Sequence, residues 1–139
     1  MTDADPSAAT VVPAAPRVMR FAVCPAGAKG VGLFAIDAIA PGEAITRDFA
    51  VVLDETACDA IAPTIIDRYY FAHPEDETAG LLVLGPAALC NHDDAPNADT
   101  VTVHDGVCGW HVCLVANREI GAGEEITRRY ACPLWFEPT

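Results

Sequence analysis

Short apolar runs separated by glycine- and proline-bearing turns make up most of the chain, and a single stretch has helical spacing. The run Val18–Cys24 is rich in strand formers, and after a turn-rich bridge at 25–30 a second run covers Val31–Ile36. Ala40-Pro41-Gly42-Glu43 reads as a turn, because proline presets one of its backbone angles, and Ile45–Leu53 reads as the next strand. Residues 55–73 are the helical candidate. Pro63 suits a first helical turn, Ile65, Ile66, Tyr69 and Tyr70 fall on one face, and Pro74 closes the segment.

Leu81–Leu84 is a short buried strand that runs into a polar segment. Thr100–His104 and Val107–Val115 are two β-rich runs joined by Asp105-Gly106, which predicts a hairpin with a tight type I′ turn. Gly121-Ala122-Gly123 is the last turn. Short strands with little helix, no internal repeat and no second hydrophobic unit predict one mainly β, α+β domain over 17–139, preceded by a proline-bearing tail at 1–16.

Composition narrows the function classes. The chain has 139 residues, 52% hydrophobic and 20% charged, which suits a packed domain rather than a disordered one. No apolar run approaches membrane-spanning length, and the acidic start lacks the basic region of a secretory signal, so a cytoplasmic protein without a membrane partner is expected. Net charge is −12, with 20 acidic and 8 basic residues, and no basic stripe is present, which argues against direct nucleic-acid binding. An acidic surface instead steers cationic partners. The six cysteines include no Cys-x-x-Cys pair, and in the cluster Cys108-Gly109-Trp110-His111-Val112-Cys113 a strand would point Cys108 and His111 to opposite faces; no metal site is expected.

The polar segment after Leu84 contains Cys90-Asn91-His92-Asp93-Asp94-Ala95-Pro96-Asn97, a knot of turn-forming residues entered from a buried strand. Its backbone groups need partners, so such a loop is costly unless it is built into the fold. Upstream lie Lys29-Gly30-Val31-Gly32-Leu33-Phe34-Ala35 and Ile39-Ala40-Pro41-Gly42-Glu43; downstream lies Gly123-Glu124-Glu125-Ile126-Thr127-Arg128-Arg129-Tyr130. In this order and spacing the three blocks resemble the SET-domain family of S-adenosylmethionine-dependent protein-lysine methyltransferases. The resemblance runs over about residues 18–136, and its strength lies in the three blocks together rather than in any one.

The resemblance implies a β-clip of several small sheets with a C-terminal pseudoknot. It implies S-adenosyl-L-methionine as cofactor, held by the backbone around Lys29, Gly30, Val31, Gly32 and Phe34 and by Asn91 and His92, largely through their main chain. It makes Tyr130 the active-site tyrosine, close to the cofactor and orienting the incoming amine, and Asn97 the residue that pins the central loop. Trp135, beside Phe136, would close over the adenine. Tyr69, Tyr70 and Arg129 are candidates for the substrate channel, and the expected partner is a lysine-bearing protein or peptide. The oligomeric state, a dimer included, stays open.

The chain also departs from the family's pattern. Asp93-Asp94 stands where serine is common, Arg129 stands where an acid or its amide is usual, and no cysteine-rich zinc tail follows Tyr130. Arginines beside the tyrosine leave two alternatives to protein-lysine methylation. One is a related reaction on a small-molecule amine, since guanidinium groups bind carboxylates well. The other is a silent module that binds cofactor or peptide.

Overall fold

A computed structural model describes residues 15, 16 and 18–130, and nine β-strands and one α-helix are found among them. The strands are β1 (Phe21–Pro25), β2 (Val31–Ala35), β3 (Ala44–Leu53), β4 (Tyr70–Ala72), β5 (Gly80–Val83), β6 (Asn91–His92), β7 (Ala98–Asp105), β8 (Gly109–Ala116) and β9 (Glu125–Arg128); the helix α1 is Glu55–Ile61. They form a four-stranded sheet in the order β1-β2-β9-β6 and a five-stranded sheet in the order β4-β5-β3-β8-β7. All pairings are antiparallel except β6 with β9. The mainly β architecture is therefore as the apolar pattern predicts. Residues 131–139, to which the C-terminal part of the expected pseudoknot belongs, and most of the expected tail at 1–16 lie outside the described residues.

The core lies between the sheets. Leu33, Ile39, Ile45, Leu81, Val112, Leu114, Ile120 and Ile126 are fully buried, each contributing on the order of 1.5–3 kcal/mol of hydrophobic stabilisation. An isolated bridge between Ile39 and Ile120 ties the two turns that flank these sheets.

Two local expectations need correction. The helical segment ends at Ile61, before Pro63 rather than starting at it. Asp54 caps the helix by accepting the Ala57 N–H at 2.8 Å. Pro63 has no N–H with which to extend the ladder, and Thr64 takes over. Its hydroxyl donates to the Ile61 carbonyl at 2.7 Å and accepts the Ile66 N–H at 3.2 Å, starting a separate 3-10 turn at Ile65–Arg68. Tyr70 then belongs to β4, where Phe71 is buried and its neighbours are not, a period of two. Tyr69 and Tyr70 therefore share no helical face.

The second correction concerns the hairpin. Asp105 pairs with Gly109, so the loop is Gly106-Val107-Cys108 rather than a two-residue turn. The Asp105 carboxylate accepts the Val107 and Cys108 N–H groups at 2.7 and 3.2 Å, and Gly109, not Gly106, carries the positive φ of 86°. An Asp side chain that satisfies two amides favours the longer loop. Cys108 thus sits exposed in that loop, outside the strand that holds His111.

Candidate active site

The three motif blocks are neighbouring strands of one sheet. The first block forms β2, the central block forms β6, and the last block forms β9 between them. Leu33 and Phe34 oppose Ile126 and Glu125 in an antiparallel pair, while Asn91 and His92 lie beside Thr127 and Arg128 in a parallel one. Segments up to 96 residues apart in sequence are joined in this way, as the ion pair between Lys29 and Glu125 at 3.0 Å shows.

Glu125 is the hub, a role that sequence reasoning had not assigned. One carboxylate oxygen takes the Lys29 ammonium, and the other accepts from Asn91 Nδ2 at 2.9 Å. Asn91 Nδ2 also donates to the Val31 carbonyl at 2.9 Å, so both of its amide hydrogens are committed within the protein. Gly32 lies against this group. A methyl there would come within 2.5 Å of Glu125 Oε2 and 2.8 Å of Asn91 Nδ2, so the glycine is required by close packing. Gly30 is different: its φ is +88° and a Cβ would meet nothing within 4 Å, while its N–H donates to the Gly27 carbonyl at 3.0 Å and its carbonyl accepts the Ala26 N–H at 2.7 Å. Phe34 is half-buried in β2, facing the register position of Glu125.

Asn97 pins the central loop to β9. Its Nδ2 donates to the Glu125 carbonyl at 2.8 Å and to Glu124 Oε2 at 3.3 Å, and its Oδ1 accepts the Thr127 N–H at 2.9 Å. Glu124 also accepts the Gly121 N–H at 3.0 Å and pairs with Arg118 at 3.1 Å. The Gly121 amide, ahead of Asn97 and Arg118, holds the Glu124 carboxyl below its ordinary value of 4.5.

The central block also grips Tyr130. The Tyr130 backbone N–H donates to His92 Nδ1 at 3.0 Å. Nδ1 is then the acceptor of the ring, so Nε2 carries the proton and donates to Asp94 Oδ1 at 2.8 Å. Both ring nitrogens of His92 are thereby used to position other groups. The Tyr130 hydroxyl donates to the Cys90 carbonyl at 3.4 Å. Cys90 itself is no nucleophile. Burial pushes its thiol up to about 12, and its Sγ donates to the Ile126 carbonyl at 3.4 Å.

Beside Tyr130 opens a cleft of about 220 Å³, lined by Asp67, Arg68, Tyr70, Phe71, Ala72, Thr100, Thr102, Arg128, Arg129 and Tyr130. Arg128 is buried, with its guanidinium carbon 3.8 Å from the centre of the Phe71 ring and 4.4 Å from that of Tyr130. Such stacking fixes the plane of the cation. Arg129 is exposed and donates to the Asp94 carbonyl. Of the channel candidates, Tyr70 and Arg129 line the cleft with Tyr130, whereas Tyr69 lies at the end of the 3-10 turn, outside that lining. Trp135 lies outside the described residues. Phe71 and Thr100 are not among the sequence candidates: Phe71 falls in the segment read as helical, and Thr100 in a strand-forming run. No helix among the described residues is long and apolar enough to cross a membrane.

The family pattern of the SET domain matches residues 30–131. No curated protein matches the chain. Among solved structures, the fold is similar to a crystal structure of a Plasmodium falciparum "putative histone methyltransferase", with a TM-score of 0.67 and 23% identity over 86% of this chain and 99% of that one. The matched span contains the glycine block, the central knot and the tyrosine that the sheet brings together. The chain belongs to the SET-domain family.

Proposed function

We propose that the protein transfers a methyl group from S-adenosyl-L-methionine to a lysine amine of a protein substrate, with Tyr130 orienting the amine. The observation that carries this reading is the double grip on Tyr130, through His92 Nδ1 and the Cys90 carbonyl, at the wall of a cleft with aromatic sides. A phenol whose proton is committed presents lone pairs to the hydrogens of an incoming amine.

The residues fit such a cofactor. Open space lies beside the Gly30 Cα, and Lys29 and Glu125 form an ion pair at 3.0 Å close to it. Lys29, Gly30, Val31, Gly32 and Phe34 would hold it from the first block, and Asn91 and His92 from the central block. The side-chain bonds of Asn91 and His92 favour main-chain contacts for that pair. When bound, the cofactor supplies an activated methyl group and a positive charge. Trp135 is a further candidate to cover it.

Methyl transfer by direct displacement needs alignment and a neutral amine rather than a covalent intermediate. Free lysine has a pKa near 10.4, so the site must disfavour the ammonium. The cleft offers two means. Phe71 and Tyr70 give one wall an aromatic surface, and the Arg128 cation repels a second positive charge close by. No acid–base pair is then required of His92 or the neighbouring carboxylates.

The test is methyl transfer from labelled S-adenosylmethionine to a cell lysate, followed by mass spectrometry of the modified residues, for the intact protein and for Tyr130→Phe. Removing the phenol oxygen should lower transfer by at least about tenfold, equivalent to about 1.4 kcal/mol of transition-state stabilisation, while cofactor binding is retained. Equal rates in the two proteins, or transfer to no lysine at all, would refute the reading.

A further inference from the structure

Asp94 and Arg129, 35 residues apart in the chain, meet beside Tyr130, where the Arg129 guanidinium donates to the Asp94 carbonyl. This contact is the middle one of three rungs that continue the pairing of β6 with β9 past the ends of both strands. The Arg128 carbonyl accepts the Asp93 N–H at 3.0 Å, Arg129 takes the Asp94 carbonyl, and the Tyr130 N–H donates to His92 Nδ1 at 3.0 Å. Three successive residues, ending in the tyrosine of the cleft, are thus tied to residues 92–94. The Asp93 carboxylate shapes that loop by accepting the Ala95 N–H at 2.8 Å, and the Asp94 carboxylate bonds back to the His92 ring.

The last rung differs from the others because its acceptor is a side chain that can turn. An imidazole accepts the Tyr130 N–H only in the tautomer whose Nδ1 carries no proton. It also accepts at one rotation only, since turning the ring over puts a carbon where each nitrogen stands. The Asp94 carboxylate fixes both choices by taking the Nε2–H at 2.8 Å. The His92 side chain is 4% exposed, whereas that of Asp94 is 74% exposed, so one end of the ring is anchored from the surface and the other end acts inside. The same imidazole lies against the phenol ring, with centroids 5.2 Å apart, and so bears on the side chain of Tyr130 as well as its backbone.

We propose that Asp94 is a positioning residue for Tyr130: acting through the His92 ring it fixes the tyrosine's backbone and the direction of its phenol, while Arg129 holds the Asp94 backbone. The inference rests on the proposed role of Tyr130 and adds the groups that keep it in place. Alignment is what a direct displacement demands, and a misplacement of about 1 Å can cost on the order of a hundredfold in rate.

The experiment combines amide hydrogen exchange with nitrogen NMR of the histidine rings, for the parent protein, Asp94→Ala, Asp94→Asn and Arg129→Ala. In the parent, His92 should show the Nε2–H tautomer. In Asp94→Ala its two nitrogen signals should move towards each other as the second tautomer is populated. The Tyr130 amide should then exchange about tenfold faster or more, while the Thr127 amide, held by Asn97 instead, keeps the parent rate. Asp94→Asn retains an oxygen for the Nε2–H and should restore most of both readings. Arg129→Ala should speed Tyr130 exchange in the same direction. Methyl transfer from labelled S-adenosylmethionine to a cell lysate should fall about tenfold in Asp94→Ala at saturating cofactor, with cofactor affinity retained. Exchange and tautomer shifts as stated, with no lysine methylated by the parent, would uphold the hold on Tyr130 and sink only the proposed reaction. An unchanged Tyr130 amide in Asp94→Ala, equal acceleration at Thr127, or parent-like transfer by that variant of an active parent would overturn the proposal.

Discussion

Replacing Asn97 by alanine tests whether the central block is held to β9 by one side chain. Asn97 is 2% exposed, and its amide satisfies two backbone groups of β9, the Glu125 carbonyl at 2.8 Å and the Thr127 N–H at 2.9 Å. Truncation leaves both without that partner in a place water reaches poorly. Each such orphan costs about 1–3 kcal/mol, so Asn97→Ala should destabilise the fold by roughly 3 kcal/mol. Against a total of about 5–15 kcal/mol this is a large fraction, and it lowers the melting temperature by roughly 10 °C. Asn97→Asp separates the two halves of the effect. It keeps the acceptor for Thr127, but it loses the donor to Glu125 and sets a second carboxylate near Glu124, now 3.3 Å from the amide nitrogen. Its deficit relative to the parent should shrink as the pH falls and the introduced carboxyl is neutralised. Urea denaturation followed by circular dichroism measures both variants. A loss under about 1 kcal/mol for Asn97→Ala, with an unchanged denaturant slope, would show that Asn97 does not carry the junction.

Further outcomes follow from the same network. Gly32→Ala places a methyl against Glu125 and Asn91 and should cost about 1–3 kcal/mol by thermal melting; an unchanged melting temperature would mean that the hub relaxes freely. The Glu124 carboxyl is held low mainly by the Gly121 amide, so its contribution is present above its ordinary value of 4.5 and is lost as the pH falls through the lower folded value. Glu124→Gln should therefore flatten the acid limb of stability, and an identical acid limb in both proteins would remove Glu124 from it. Cys90, raised to about 12 by burial, should resist iodoacetamide at pH 8 in the folded protein, while exposed Cys108 is alkylated. Peptide mapping that finds Cys90 modified as fast as Cys108 would contradict this.

The apolar runs determined most of the strands, because burial on one or both sheet faces imposes its own period on the sequence. The order and spacing of the three motif blocks likewise carried the family and the pinning role of Asn97. Local chemistry was less legible where two signals competed. Pro63 suits either a helix start or its end, and only the cap at Asp54 and the hydroxyl of Thr64 decided for the end. Asp105-Gly106 signalled a tight turn, but the carboxylate that captures two amides made a longer one.

Tertiary structure alone decided what the motif residues do. Placing β9 between β2 and β6 is a matter of long-range pairing, to which sequence periodicity is blind. That pairing made Glu125 the hub, committed the Asn91 amide and the His92 ring to positioning other groups, and stacked Arg128 on Phe71 and Tyr130. A list of residue types carries no information about which hydrogen is already spent in a bond or which cation lies over which ring. Those depend on distances between chain segments that meet only when the sheet closes.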